Sequence, residues 1–104
     1  MERQEYLTLA DACLERVETW LEDFDPDEVD FTSADGVVKI EFPDRTTYVL
    51  NRQAAADQMW FAAGARAWHY DYKDGAWHCD KDGHELLAKI AEVVSEKLGR
   101  TVTL

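Results

Sequence analysis

The chain has 104 residues with 22 Asp+Glu against 11 Lys+Arg, a formal net charge of -11. That balance excludes nucleic acid, whose phosphates would be repelled, and works against binding to anionic membrane surfaces. Hydrophobic residues at 46%, with four Trp, four Tyr and four Phe, give a folded composition with enough bulk for one small core.

The length predicts a single domain spanning 1–104. Met1-Glu2-Arg3-Gln4-Glu5 does not resemble a signal peptide and is too acidic for a mitochondrial presequence. No apolar run approaches the ~20 residues of a membrane span. Cys13 and Cys79 lie far apart without a CxxC pattern, so two buried thiols in a reducing compartment are expected.

Tyr6, Leu9, Ala10, Cys13, Leu14, Val17, Trp20, Leu21 and Phe24 recur at steps of three and four. They predict one face of a long amphipathic helix. Asp11, Glu15, Glu18 and Glu22 fall on the opposite side as a carboxylate stripe, and Pro26 ends the helix. Six strand signals follow, at residues 29–33, 37–42, 46–51, 57–63, 68–72 and 77–80. Asp35-Gly36, Pro43-Asp44-Arg45 and Asp74-Gly75 supply turns between them. A two-residue turn at Asp74-Gly75 pairs Tyr72 with Trp77 and Tyr70 with Cys79. It sets Asp71 against His78 and His69 against Asp80 on the other face. In residues 57–63, Met59 and Phe61 face one way, Gln58 and Trp60 the other. Asp82-Gly83-His84-Glu85 reads as a capping box with Asp82 as N-cap, opening a second helix through Leu98 that Gly99 closes. The expected fold is α+β: a two-layer α/β sandwich, with N- and C-terminal helices on one face of an antiparallel sheet of about six strands.

Charge is concentrated early. Residues 1–35 hold 12 acids and two bases, whereas residues 36–104 hold 10 acids and nine bases. Carboxylates in rows are hard oxygen ligands that hold Fe²⁺, Mn²⁺, Ca²⁺ or Mg²⁺ loosely. A basic protein surface and a merely solvated face are the alternative readings. GxSxG, HExxH, P-loop and GxGxxG motifs are absent, and adjacent His78 and Cys79 point to opposite strand faces. An enzyme is therefore not expected. His69, Asp71, His78 and Asp80 are read as a solvated hairpin face, with divalent-ion binding as the alternative, and His84 as a surface residue. If the helices cover the Met59 side, Trp60 stands on an open sheet near Asn51, Gln53 and His69, where it would suit a protein interface.

Five ordered segments carry a resemblance: Asn51-Arg52-Gln53, Gln58-Met59-Trp60-Phe61-Ala62, His69-Tyr70-Asp71-Tyr72, Gly75-Ala76-Trp77 and Asp82-Gly83. In order and spacing the chain resembles the frataxin family over essentially its whole length, and in particular the bacterial members. The resemblance implies an acidic ridge that binds Fe²⁺ or Fe³⁺ weakly, at Asp11, Glu15, Glu18, Glu22, Asp23, Asp25, Asp27, Glu28 and Asp30. It implies a partner surface at Asn51, Gln53, Gln58, Trp60 and His69, and a cytoplasmic role in iron–sulfur cluster assembly. The implied partners are a cysteine desulfurase and its scaffold protein, bound by a monomer, with iron-dependent oligomers as the variation. Ferroxidase activity with iron storage is the alternative function. His69 replaces the Arg common in mitochondrial members, and the short tail implies a lightly covered groove between the helices and modest stability.

Overall fold

In the computed structural model, which describes residues 1–104, the first helix starts on a side-chain cap. The Glu2 carboxylate accepts from the N–H groups of Gln4 (2.8 Å) and Glu5 (3.1 Å). These bonds to the ionised form hold its pKa below the usual carboxylate range. Helix α1 then runs Arg3–Leu21 and buries Tyr6, Ala10, Cys13, Leu14, Val17 and Leu21. Burying each aliphatic side chain contributes about 1.5–3 kcal/mol. That outweighs the few tenths of a kcal/mol lost at each like-charge pair on the outer side, so the carboxylate stripe is tolerated.

Strands β1 (Asp30–Ala34), β2 (Val37–Glu41), β3 (Thr47–Gln53), β4 (Gln58–Ala63), β5 (Arg66–Lys73) and β6 (Ala76–Cys79) follow. They form one antiparallel meander in chain order. Asp35 and Gly36 (φ 53° and 80°) and Asp74 and Gly75 (φ 52° and 82°) are both left-handed. This is the two-residue hairpin geometry that Asp-Gly favours. Tyr72 pairs with Trp77, Asp71 with His78 and Tyr70 with Cys79, as the sequence predicts. The expected strand start at 57 shifts by one residue. A 3-10 turn at Ala54–Ala56 ends on Asp57 in the left-handed region (φ 55°), which keeps Asp57 out of the strand.

Helix α2 spans Leu86–Leu98 and ends on left-handed Gly99 (φ 72°). Its start corrects the sequence reading. Glu85, not Asp82, is the N-cap, accepting from Leu87 N–H (2.8 Å) and Ala88 N–H (3.0 Å). Left-handed Gly83 (φ 78°) takes Asp82 out of the approach to the helix. Asp82 instead caps the preceding turn, accepting from His84 N–H at 3.1 Å.

Both helices cover one sheet face. Val38, Ile40, Leu50, Met59, Phe61, Tyr70 and Trp77 of the sheet meet Val17, Leu21, Leu86, Ile90 and Val94 in a single core of 22 buried residues, none charged. The Tyr6 hydroxyl donates to Gln58 O (2.8 Å), tying the first helix to β4. The short C-terminal tail is tied to both helices. Trp20 Nε1 donates to Thr103 O (2.6 Å), Ser95 Oγ is bonded to Val102, and Val102 and Leu104 pack against the core. Lys97 pairs with Asp44 in the β2–β3 turn and, with Thr46, holds that carboxyl well below its usual range. No helix is long and apolar enough to cross a membrane.

Gly36 also admits a close neighbour. A Cβ there would lie 2.6 Å from Arg52 Nε and 2.9 Å from Arg52 Cγ, whereas one at Gly75 would meet nothing within 4 Å. Both Gly→Ala changes should lose about 1–2 kcal/mol from the left-handed backbone. Gly36→Ala should lose clearly more, because Arg52 must move. Urea unfolding of the pair checks this, and equal losses would mean that Arg52 yields freely.

Candidate metal ridge and sheet surface

The ridge residues are set by α1 and the segment that follows it. Asp11, Glu15 and Glu18 line an open cleft of about 610 Å³ between α1 and the β1–β2 hairpin. Leu14, Val37 and Val38 contribute apolar lining to it. Asp23, Asp25 and Glu28 line a second cleft, of about 530 Å³, beneath the C-terminal residues. The structure thus divides the predicted ridge into two groups along the helix. Glu22 forms the α1 C-cap, Asp27 is exposed in the following loop, and exposed Asp30 opens β1.

Charge compensation is uneven. Asp11 pairs with Arg52 from the end of β3, and Glu28 pairs with Arg100 at 2.5 Å. Glu15, Glu18, Glu22, Asp23, Asp25, Asp27 and Asp30 have no cationic partner. Two of them serve the backbone: Asp25 accepts from Asp27 N–H (2.9 Å) and Asp30 from Phe31 N–H (2.8 Å). The last turn of α1 contains no basic residue. Glu18, Glu22 and Asp23 therefore crowd the negative end of the helix dipole, where a cation would be favoured by 0.3–1 kcal/mol. No three ridge carboxylates bring oxygens within 4.8 Å of one another. The surface offers single hard-oxygen ligands completed by water rather than a cage.

Sequence reasoning missed two residues of the first cleft. Asp35 lines it from the β1–β2 turn, and Arg52 reaches it from β3. Asp35 belongs to the acidic first third, and that count was its only signal. The pairing of Arg52 with Asp11 spans 41 positions and leaves no local trace.

On the uncovered sheet face, register places Asn51, Trp60 and His69 side by side, with Gln53, Gln58 and Asp71 in the next row. Trp60 lies where the alternation puts it, yet it is half-buried. Its ring stacks on His69 with centroids 4.3 Å apart and planes at 12°. Trp60 Nε1 donates to Gln58 Oε1 (3.0 Å), and Gln58 Nε2 donates to Asp71 (3.0 Å) and Asp80 (3.3 Å). Asn51 Nδ2 donates to Arg52 O at 3.1 Å. The indole is thereby held in one orientation, as an interface anchor needs. The hairpin quartet does not converge: His69 stacks on Trp60, while His78 Nδ1 donates to Gly83 O (3.1 Å).

His84, expected on the surface, is half-buried. It packs edge-on to Trp68 and bonds to Tyr70. Both cysteines are free and buried, and burial pushes the Cys13 thiol up to about 12.

A family model described as a frataxin-like domain matches residues 1–100. The iron-sulfur cluster assembly protein CyaY of Dechloromonas aromatica (strain RCB) is 34% identical, covering 100% of this chain and 99% of that protein. Frataxin from Psychromonas ingrahamii superposes with a TM-score of 0.89 at 29% identity, covering 99% of this chain and 97% of the other. A trimeric frataxin from the yeast Saccharomyces cerevisiae, complexed with ferrous iron, superposes at 0.78 with 28% identity, over 88% and 87%.

Unpaired carboxylates at a helix C-terminus should cost stability. Glu18→Lys with Glu22→Lys should raise the melting temperature at low salt, by roughly 1 kcal/mol of stability from lost repulsion and the dipole. The gain should shrink as salt screens it. Thermal melts at two ionic strengths check this, and a fall in melting temperature at low salt would mean that these carboxylates support the fold.

Proposed function

Because the chain belongs to the frataxin family, we propose that it is a non-enzymatic, iron-binding protein of iron–sulfur cluster assembly in the bacterial cytoplasm. It holds Fe²⁺ or Fe³⁺ weakly on the acidic ridge and regulates, or donates iron to, a cysteine desulfurase–scaffold complex. The observation that carries this reading is the run of seven ridge carboxylates without cationic partners, three of which, Glu18, Glu22 and Asp23, stand where the helix dipole disfavours them. A surface that only needed solubility gains nothing from placing them there. The CyaY relative is itself named an assembly protein, and the yeast relative was crystallised with ferrous iron.

The ferroxidase reading has less support. Oxidation to a stored mineral calls for a di-metal carboxylate site with Glu-x-x-His ligands inside a helical bundle. The ridge carboxylates are spread over two open clefts. They suit exchangeable iron, with several waters kept on the ion.

Two surfaces meet the desulfurase in this reading. A basic patch on the enzyme faces the ridge, so association falls as the Debye length drops below ~10 Å. Trp60 supplies the desolvated anchor, oriented by Gln58 and His69. Capture of the protein by a cysteine desulfurase, with and without Fe²⁺, tests the reading. Trp60→Ala should keep its circular dichroism, because the ring lies on the uncovered face. It should weaken capture by about 2 kcal/mol or more. Full capture by this variant would remove the sheet surface from the interface, and no capture of the parent protein under either condition would contradict the assembly role.

A further inference from the structure

A second cluster lies in the turn that adjoins the end of the sheet surface, where Asp80 N–H donates to His69 O (3.0 Å). Cys79-Asp80-Lys81-Asp82-Gly83-His84 forms a tight turn between β6 and α2. Gly83 N–H donates to Cys79 O (3.0 Å) and Cys79 N–H to His84 O (2.8 Å), closing the turn from both ends. The Cys79 sulfur, an Asp82 carboxylate oxygen and a His84 ring nitrogen all lie within 4.8 Å of one another.

The donor set differs in kind from the ridge. It combines a thiol, an imidazole and a carboxylate, which suit a borderline ion such as Zn²⁺ or Co²⁺ rather than Mg²⁺ or Ca²⁺. We propose that this turn is a mononuclear site for such a dication, with Cys79, Asp82 and His84 as ligands and water in the fourth position. Metal–ligand bonds of about 2.0–2.3 Å require His84 Nδ1 and Asp82 Oδ1 to part slightly from their 2.5 Å contact as the ion enters between them.

Proton positions fit that role. His84 Nδ1–H donates to Asp82 Oδ1 (2.5 Å), and the Tyr70 hydroxyl meets His84 Nε2 at 2.7 Å. A dication takes the place of the proton between His84 and Asp82. The imidazole proton moves to Nε2 and is donated to the Tyr70 oxygen, giving the outer-shell bond that usually orients a ligating histidine. The Cys79 thiol releases its proton to solvent as the metal–sulfur bond forms. Thiolate and carboxylate together neutralise the dication, so no uncompensated charge is left beside the core. Asp82, its side chain 70% exposed, supplies the open side through which the ion and its water enter.

Co²⁺ titration of the reduced full-length protein tests this assignment. Saturation should give a sulfur-to-cobalt charge-transfer band with visible d–d bands of tetrahedral intensity, and Zn²⁺ should abolish them. Cys79→Ser should remove the charge-transfer band. Asp82→Asn and His84→Gln should each weaken binding by more than the ~10–100-fold that loss of an outer-shell partner costs. Glu18→Gln with Glu22→Gln should leave the band unchanged. If Cys79→Ser fails to fold, exposed Asp82→Asn decides. A saturated spectrum without a thiolate band, or affinity unchanged in both Asp82→Asn and His84→Gln, overturns the site. Ridge carboxylates give no thiolate band, so this outcome is separate from the fate of the ridge reading.

Discussion

Only one face of the six-stranded sheet is covered, and this constraint fixes where every polar side chain can stand. The 22 buried residues include no charged group, so the interior contains no carboxylate with which to bind an ion. Polar function is left to the outer side of α1, the uncovered sheet face and the turns. The ridge and Trp60 consequently stand on different sides of the molecule.

The ridge shows stability and function pulling apart. A helix of 19 residues held by six buried side chains tolerates a poor charge arrangement at its end. The same chain pairs charges well elsewhere. Lys97 with Asp44 joins α2 to the β2–β3 turn, and Arg66 and Lys89 sit near Glu96 and Glu92. Most ridge carboxylates, by contrast, have no cationic partner. The two exceptions, Arg52 on Asp11 and Arg100 on Glu28, each bring a residue from far along the chain to the helix or the segment after it. They help to fix the walls of the two clefts and leave the carboxylates between them available.

Much of this was legible in local pattern. Alternation in β4 placed Met59 and Phe61 inward and Trp60 outward. Asp74-Gly75 set the register of Tyr70 and Tyr72 against Cys79 and Trp77. What escaped depended on single backbone angles or on distance in sequence. Gly83 in the left-handed region moved the helix cap from Asp82 to Glu85, folded the Cys79–His84 turn and drew His84 against Tyr70 and Trp68. The pairing of Arg52 with Asp11, and the packing of Val102 and Leu104 on the core, are long-range contacts without a periodic signal. The stacking of His69 on Trp60 needed the register of β5 against β4, and the sequence offered no short turn code at Gly64 as strong as Asp-Gly.

The central claim is that the unpaired carboxylates of α1 and the following segment are the iron surface. Anaerobic Fe²⁺ titration followed by NMR tests it directly, because paramagnetic broadening falls off with distance from the ion. The account predicts that amides of residues 15–30 broaden first and that Trp60 and its neighbours on the sheet stay sharp. Ridge amides that remain sharp while signals elsewhere broaden would contradict it.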